Sequence, residues 1–269
     1  MFCIHLSPTI SSESAWALLE SEGIEVLYGE EEEGFETLVI QSTLSSDALT
    51  GQFPFITACH RTALFEVDWE KEWEKHAPHF SDGKVRLDLS PYGTNCELLL
   101  APGAGFGELS HPTTRLVLEL MKGQILGKTV IDIGSGSGIL ALAAKALGAK
   151  RVIGIDIDRE ANRHAAENAA LNALDVSFYH PDTMDVQLED EAIVVLMNMI
   201  TSEQQVAWKA FSKDRPIRGI ALTSGVLSEQ EEDYRKLAAN WGWTINQIIE
   251  EDEWLGIHAT IGSNRRVQS

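Results

Sequence analysis

Val130-Ile131-Asp132-Ile133 runs into Gly134-Ser135-Gly136-Ser137-Gly138, an apolar stretch giving way to three alternating glycines. The stretch predicts a strand and the apolar residues from Ile139 predict a helix, so the glycines form the turn between them. Glycines there let a ligand approach the backbone, and the helix N-terminus supplies unpaired N–H groups and partial positive charge. A dinucleotide would suit such a turn. The nicotinamide fingerprint counted from Gly134, however, demands Gly or Ala at its sixth position, where Ile139 stands. Alternate glycines, with Asp132 two residues ahead of the first, favour a nucleoside that carries no diphosphate.

The next predicted strand ends in Gly154-Ile155-Asp156-Ile157-Asp158. In a doubly wound sheet an acid at the tip of the second strand lies beside the first glycine turn, where its carboxylate can accept two hydrogen bonds from ribose hydroxyls. Asp156 is the residue for that role. Asp158 suits the N-cap of the following helix.

These residues need a scaffold, and the chain predicts one. From Thr129 strands and helices alternate: strands at 129–133, 152–155, 176–179, 192–197 and 217–223, helices at 139–147, 159–172, 202–211 and 228–239. Two further strands, 244–249 and 257–261, close the chain without a helix between them. The pattern predicts an α/β fold, a doubly wound seven-stranded sheet with a reversed last strand and an antiparallel hairpin at one edge. Ahead of it, a strand at 2–6, a helix at 11–22, two strands around Val26 and Leu38, a short helix at 45–50 and a strand after Phe55 predict a small α+β unit of ferredoxin-like, split-βαβ type. Glu30–Glu33 reads as the solvated tip of its hairpin. The expected organisation is therefore 1–66 as a first domain, 67–80 as a helical connector carrying Trp69 and Trp73, and 81–269 as the domain of the glycine turn. Within the last, strands near Val85–Leu89 and Glu97–Leu100 lead into the glycine-rich loop Pro102–Gly107, and Pro112 suits a first helical turn.

Composition narrows the partners. The 269 residues carry 21 Lys and Arg against 41 Asp and Glu, a net charge of -20. Such a surface repels nucleic acid and anionic membranes and attracts a basic macromolecule. Residues 1–80 hold 3 basic and 15 acidic side chains, so the attraction is concentrated at the front of the chain. Cys3, Cys59 and Cys96 form no Cys-x-x-Cys pair, which suggests neither a disulfide framework nor a metal site and points to a reducing, cytoplasmic setting. No leader-like start and no apolar run of membrane-spanning length is read, and no apolar helix calls for a partner, so a monomer is expected.

Taken together, the motifs resemble class I methyltransferases that use S-adenosylmethionine, and among them the ribosomal protein L11 methyltransferase family. The likeness rests on Ala101–Gly107 with Ser110-His111-Pro112-Thr113-Thr114, on Asp132–Leu140, on Gly154–Asp158 and on Asn198-Met199-Ile200, in that order. Asp68–Trp73 and Gly225-Val226-Leu227 also resemble family segments, so the likeness covers nearly the whole chain. It implies that Thr114, Gly134, Gly136, Asp156, Ile157 and Asn198 bind S-adenosylmethionine, with Asn198 also serving the transfer, and that no metal takes part. Ile157 would pack on the adenine, and Asp182 would receive its amino group. The implied substrate is a basic protein of the large ribosomal subunit, methylated on lysine or N-terminal amines. Between Gly107 and His111 the chain departs from the family's Thr-Gly-Thr and carries Glu108-Leu109-Ser110, a loop with a carboxylate. His111 reads as a helix-start residue bonding the backbone rather than a base. Three other readings stand beside this one: methylation of another protein or a small molecule, cofactor binding without catalysis, and a dehydrogenase, which Ile139 disfavours.

Overall fold

The computed structural model describes residues 2–10, 15–16, 18–19, 22–32, 35–61, 80–81, 83–103, 111–184, 192–213, 215 and 217–262. The chain divides into two units, Met1–Asp68 and Trp69–Ser269. The connector expected over 67–80 falls, but for Phe80, outside the described residues, as does the departure at Glu108–Ser110.

In the first unit β1 (Phe2–Leu6), β2 (Glu25–Glu32), β3 (Phe35–Gln41) and β4 (Ile56–Arg61) form a sheet in the order β2-β3-β1-β4, every neighbouring pair antiparallel. Phe2, Ile4 and Leu6 are buried while Cys3 and His5 are half-buried, the two-residue period of a strand with one face on a core. The core is completed by Leu38, Ile40, Ile56 and Leu49 of helix α1 (Ser46–Gln52), whose N-terminus is capped by the Ser45 hydroxyl accepting from the Ala48 N–H at 3.2 Å. Of the helix expected over 11–22, Ala15, Trp16, Leu18 and Leu19 are described and helical, with Ala15 and Leu19 buried one turn apart. The acidic run differs from expectation. Glu30, Glu31 and Glu32 pair with Thr37, Glu36 and Phe35 as the end of β2, so they belong to the strand and not to its tip.

The second unit opens with a three-stranded antiparallel sheet, β5 (Phe80–Ser81), β6 (Lys84–Asp88) and β7 (Glu97–Leu100), one short strand more than the sequence suggests. Helix α2 (Pro112–Met121) follows. Then come β8 (Thr129–Ile133), α3 (Ile139–Ala146), β9 (Arg151–Ile155), α4 (Arg159–Leu171), β10 (Ser177–Tyr179), β11 (Ile193–Asn198), α5 (Thr201–Ser212), β12 (Gly219–Leu227), α6 (Glu231–Asn240), β13 (Trp243–Glu251) and β14 (Trp254–Ile261). Seven strands pair in the order β10-β9-β8-β11-β12-β14-β13. The first five are parallel and β14 is antiparallel to both neighbours.

Both faces of this sheet are covered, which is why its strands read as continuous apolar runs. Val130, Val194 and Leu196 face a core shared with α2 and α3, while Ile131, Ile133, Val195 and Met197 face one built on Trp208, Phe211 and Tyr234 of α5 and α6. The expected reversed strand is present, but it lies inside the edge pair, between β12 and β13. β12 also runs four residues beyond the expected Thr223. Its polar Thr223-Ser224-Gly225 looks like a stop, yet the strand passes through an irregularity there and resumes pairing at Val226.

Candidate active site

The strand order reverses between β8 and β11, and in open α/β sheets ligands bind outside the carboxyl ends at such a point. The pairing register puts specific residues there. Ile133 lies opposite Ile155 of β9 and opposite Met197 of β11. The next residues on the three strands are Asp156, Gly134 and Asn198, so the three stand in a row across adjacent strands. At about 4.8 Å per strand the row spans roughly 10 Å, the scale of a nucleoside.

Each member is held. The Asp156 carboxylate accepts from the Gly136 N–H through Oδ2 and from the Asp158 N–H through Oδ1, both at 2.9 Å. It is thus tied directly to the glycine turn. Asn162 of α4 donates to the Asp156 and Asp158 carbonyls at 2.8 and 2.9 Å, fixing the backbone around it. Gly134, Gly136 and Gly138 all have positive φ, at 73°, 51° and 83°. Glycine is required at Gly134 by conformation, and a Cβ there would also have to displace the terminal methyl of the Met199 side chain. Asn198 Nδ2 donates to Thr114 Oγ1 at 3.3 Å, joining the end of β11 to the first turn of α2 across 84 residues. Thr114 is fully buried.

The remaining expectations divide. Ile157 is 81% exposed beside Asp156, an apolar surface open at the ligand edge. Asp182 stands one strand further out, in the turn Pro181–Thr183 after β10; its carboxylate lies 3.4 Å from His180 Nδ1. His111 is the N-cap of α2, with Nδ1 accepting from the Thr113 N–H, and burial with the nearby Arg115 charge lowers its pKa. Asp158 caps α4 by accepting from the Glu160 N–H at 2.8 Å. Among the described residues no cluster of His, Cys, Asp or Glu has the makings of a metal site, and no helix is long and apolar enough to cross a membrane.

A family model described as ribosomal protein L11 methyltransferase matches residues 9–261. The chain belongs to that family. It is 31% identical over 208 residues to the ribosomal protein L11 methyltransferase of Dictyoglomus thermophilum, covering 74% of this chain and 67% of the relative. The corresponding protein of Aliivibrio fischeri strain MJ11 is 37% identical over 204 residues, covering 72% and 68%. The ribosomal protein L11 methylase structure from Lactobacillus delbrueckii subsp. bulgaricus superposes with a TM-score of 0.50 at 29% identity, over 60% of this chain and 82% of that one. The protein is a methyltransferase, and S-adenosylmethionine is its methyl donor.

The edge fits that cofactor on grounds of its own. Asp132, 1% exposed at the end of β8, accepts from the Ala141 N–H at 3.0 Å through Oδ2, while Oδ1 has no partner among the described residues. The buried Ser135 hydroxyl likewise has none among them. Buried polar groups are nearly always bonded, so two such atoms beside a glycine cradle mark a place for polar ligand groups. Burial pushes the Asp132 carboxyl up to about 7, the Ala141 N–H opposing and the Asp156 charge adding to the rise.

Sequence reasoning missed two side-chain networks that hold this L11 methyltransferase site. On α4, Asn168 accepts from the Ala101 N–H at 2.9 Å and donates to the Ser137 carbonyl at 3.0 Å, and Asn172, the C-cap of that helix, exchanges two bonds with Leu99 at 2.8 and 2.7 Å. These amides dress the edge of β7 as another strand would. Their spacing of four on a helix is the signal that shows they share a face. The second network centres on Gln204 of α5, whose signal is its spacing of four and seven residues from Trp208 and Phe211, which puts Gln204 and not the adjacent Gln205 on the buried face.

Proposed function

We propose that this protein moves methyl groups from S-adenosylmethionine to lysine or N-terminal amines of a ribosomal protein, L11 being the one that its relatives are named for. The observation that carries the reading is the row Asp156, Gly134, Asn198 with Thr114 bonded to its end. It combines a ribose acceptor, a glycine gap and an amide at the switch point of one sheet.

S-adenosylmethionine, when bound, supplies a methyl group on a sulfonium, which an uncharged amine can take without acid assistance. The chain's task is therefore alignment, which can supply much of a rate enhancement. Asp156 would receive the ribose hydroxyls, since each carboxylate oxygen keeps a further lone pair after its backbone bond. Gly134 and Gly136 would admit the cofactor to the backbone, with Ile157 beneath the adenine. Thr114 would hold the methionine end together with Asn198, whose Oδ1 accepts from the incoming amine. A lysine must arrive uncharged, and a low-dielectric pocket favours its neutral form. The first domain, residues 1–66, would recognise the basic protein through its excess of carboxylates.

Incubation with labelled S-adenosylmethionine and purified ribosomal proteins tests the proposal. Label on a large-subunit protein, at lysine or an N-terminal amine, is the expected result. Cofactor binding with no transfer to any ribosomal protein would overturn it.

A further inference from the structure

Asn198 belongs to a turn, Asn198-Met199-Ile200, that is gripped from below by a buried amide. Gln204 is fully buried, and its single NH2 group donates twice: to the Met199 carbonyl at 2.8 Å and to the Ser224 carbonyl at 2.9 Å. Its Oε1 accepts from the Tyr234 hydroxyl at 2.7 Å, which lies 3.1 Å from Thr223 Oγ1. Ser224 Oγ in turn donates to the Leu255 carbonyl of β14 at 2.8 Å. Every polar group of the Gln204 side chain is thus used, and its two donors bind two different segments: the turn after β11 and the irregularity in β12. Burial raises the Tyr234 pKa, so the hydroxyl remains a donor.

The same turn is held from two other sides. Gly225, at φ 90°, lies so close to the Met199 backbone that a Cβ would overlap it, and the Met199 side chain fills the space over Gly134. Met199 therefore touches the glycine turn with its side chain, the β12 irregularity with its backbone and Gln204 with its carbonyl. A shift of that one peptide moves Asn198, its immediate neighbour, relative to Thr114 and Gly134.

We propose that Gln204 is a positioning residue for methyl transfer, seconded by Tyr234: it fixes the Met199 peptide and so aims the Asn198 amide at the amine. The inference rests on the role given to Asn198 above. It predicts a specific split, because displacement of a reacting group by even an ångström is costly in rate, whereas the Gly136–Asp156 end of the site is untouched.

The test uses the full-length chain as Gln204→Met, Tyr234→Phe and the double variant. For folded Gln204→Met, kcat is expected to fall by about tenfold or more. S-adenosylmethionine affinity by calorimetry should stay within about threefold, a difference of about 0.65 kcal/mol. Tyr234→Phe should show the same split to a smaller degree, and the double variant should be little worse than Gln204→Met, since the bond from the hydroxyl to Gln204 is already lost there. A second reading does not depend on activity. With methionine methyl groups labelled with carbon-13, the Met199 resonance should shift in both single variants while that of Met121, in α2, stays in place. An unmoved Met199 signal, or unchanged kcat in both folded single variants, would overturn the proposal. So would a fall in affinity as large as the fall in kcat, the mark of a merely structural residue. If the wild-type chain transfers no label to a ribosomal protein, the substrate assignment fails by itself, and the Met199 resonance still decides the role of Gln204.

Discussion

Asn198 Nδ2 donates to Thr114 Oγ1 at 3.3 Å, so the carboxyl end of β11 and the first turn of α2 form one polar end of the site. Thr114→Val keeps the shape and removes the acceptor. S-adenosylmethionine affinity should fall by several-fold, consistent with the loss of one hydrogen bond of about 1 kcal/mol. Asn198→Ala should lower kcat more than it lowers affinity. In a double-mutant cycle the two losses should be less than additive; strict additivity in calorimetry would mean that the residues act apart.

Asp156 carries the ribose end. Asp156→Ala should weaken S-adenosylmethionine binding by about tenfold or more, equivalent to about 1.4 kcal/mol. Part of that loss comes through Gly136, whose N–H loses its acceptor. Unchanged affinity by calorimetry would remove Asp156 from the site.

Gly134→Ala meets two obstacles, a φ of 73° and the Met199 side chain. Cofactor affinity should drop sharply, and Met199→Ala in the same chain should restore part of it by opening the space while the backbone cost remains. If the second change restored nothing, the contact with Met199 would be irrelevant and conformation alone would account for the glycine.

Asp132 links the fold to pH. Folding raises its carboxyl from an ordinary value near 3.8 to about 7, chiefly by burial. A group whose pKa rises on folding contributes fully below its unfolded value and loses that contribution as pH climbs through the folded one. This carboxyl should therefore lower stability progressively between about pH 4 and about pH 7. Asp132→Asn, neutral throughout, should lack that slope in thermal unfolding followed across the range. Parallel profiles for the two proteins would mean that Asp132 ionises in the fold as it does in the open chain.

The acidic first unit offers a test of substrate recognition. Exchanging Glu30–Glu33 for Gln should weaken binding of the basic ribosomal protein and flatten its salt dependence, while cofactor affinity stays constant. Equal affinity and equal salt slopes for both chains would return the charge to a role in solubility.

The sequence by itself determined the chemistry-bearing motifs and the kind of sheet beneath them. The glycine turn, Asp156 and the Asp158 cap are local features, set by positive φ, short polar side chains and a helix end, and each is legible within a few residues. The strand and helix alternation was legible for the same reason, since a two-residue or 3.6-residue period is a property of the chain itself. Tertiary structure decided what no period records. The insertion of β14 between β12 and β13 depends on which strand edges meet, and the passage of β12 through Gly225 depends on the Met199 backbone lying against it. Likewise the row of Asp156, Gly134 and Asn198 comes from register across three strands, and the Thr114 bond closes over 84 residues. Gln204 shows both sides: its spacing of four and seven from Trp208 and Phe211 puts it on the buried face of α5, but only the fold sets its amide between two carbonyls that the chain brings together from opposite sides.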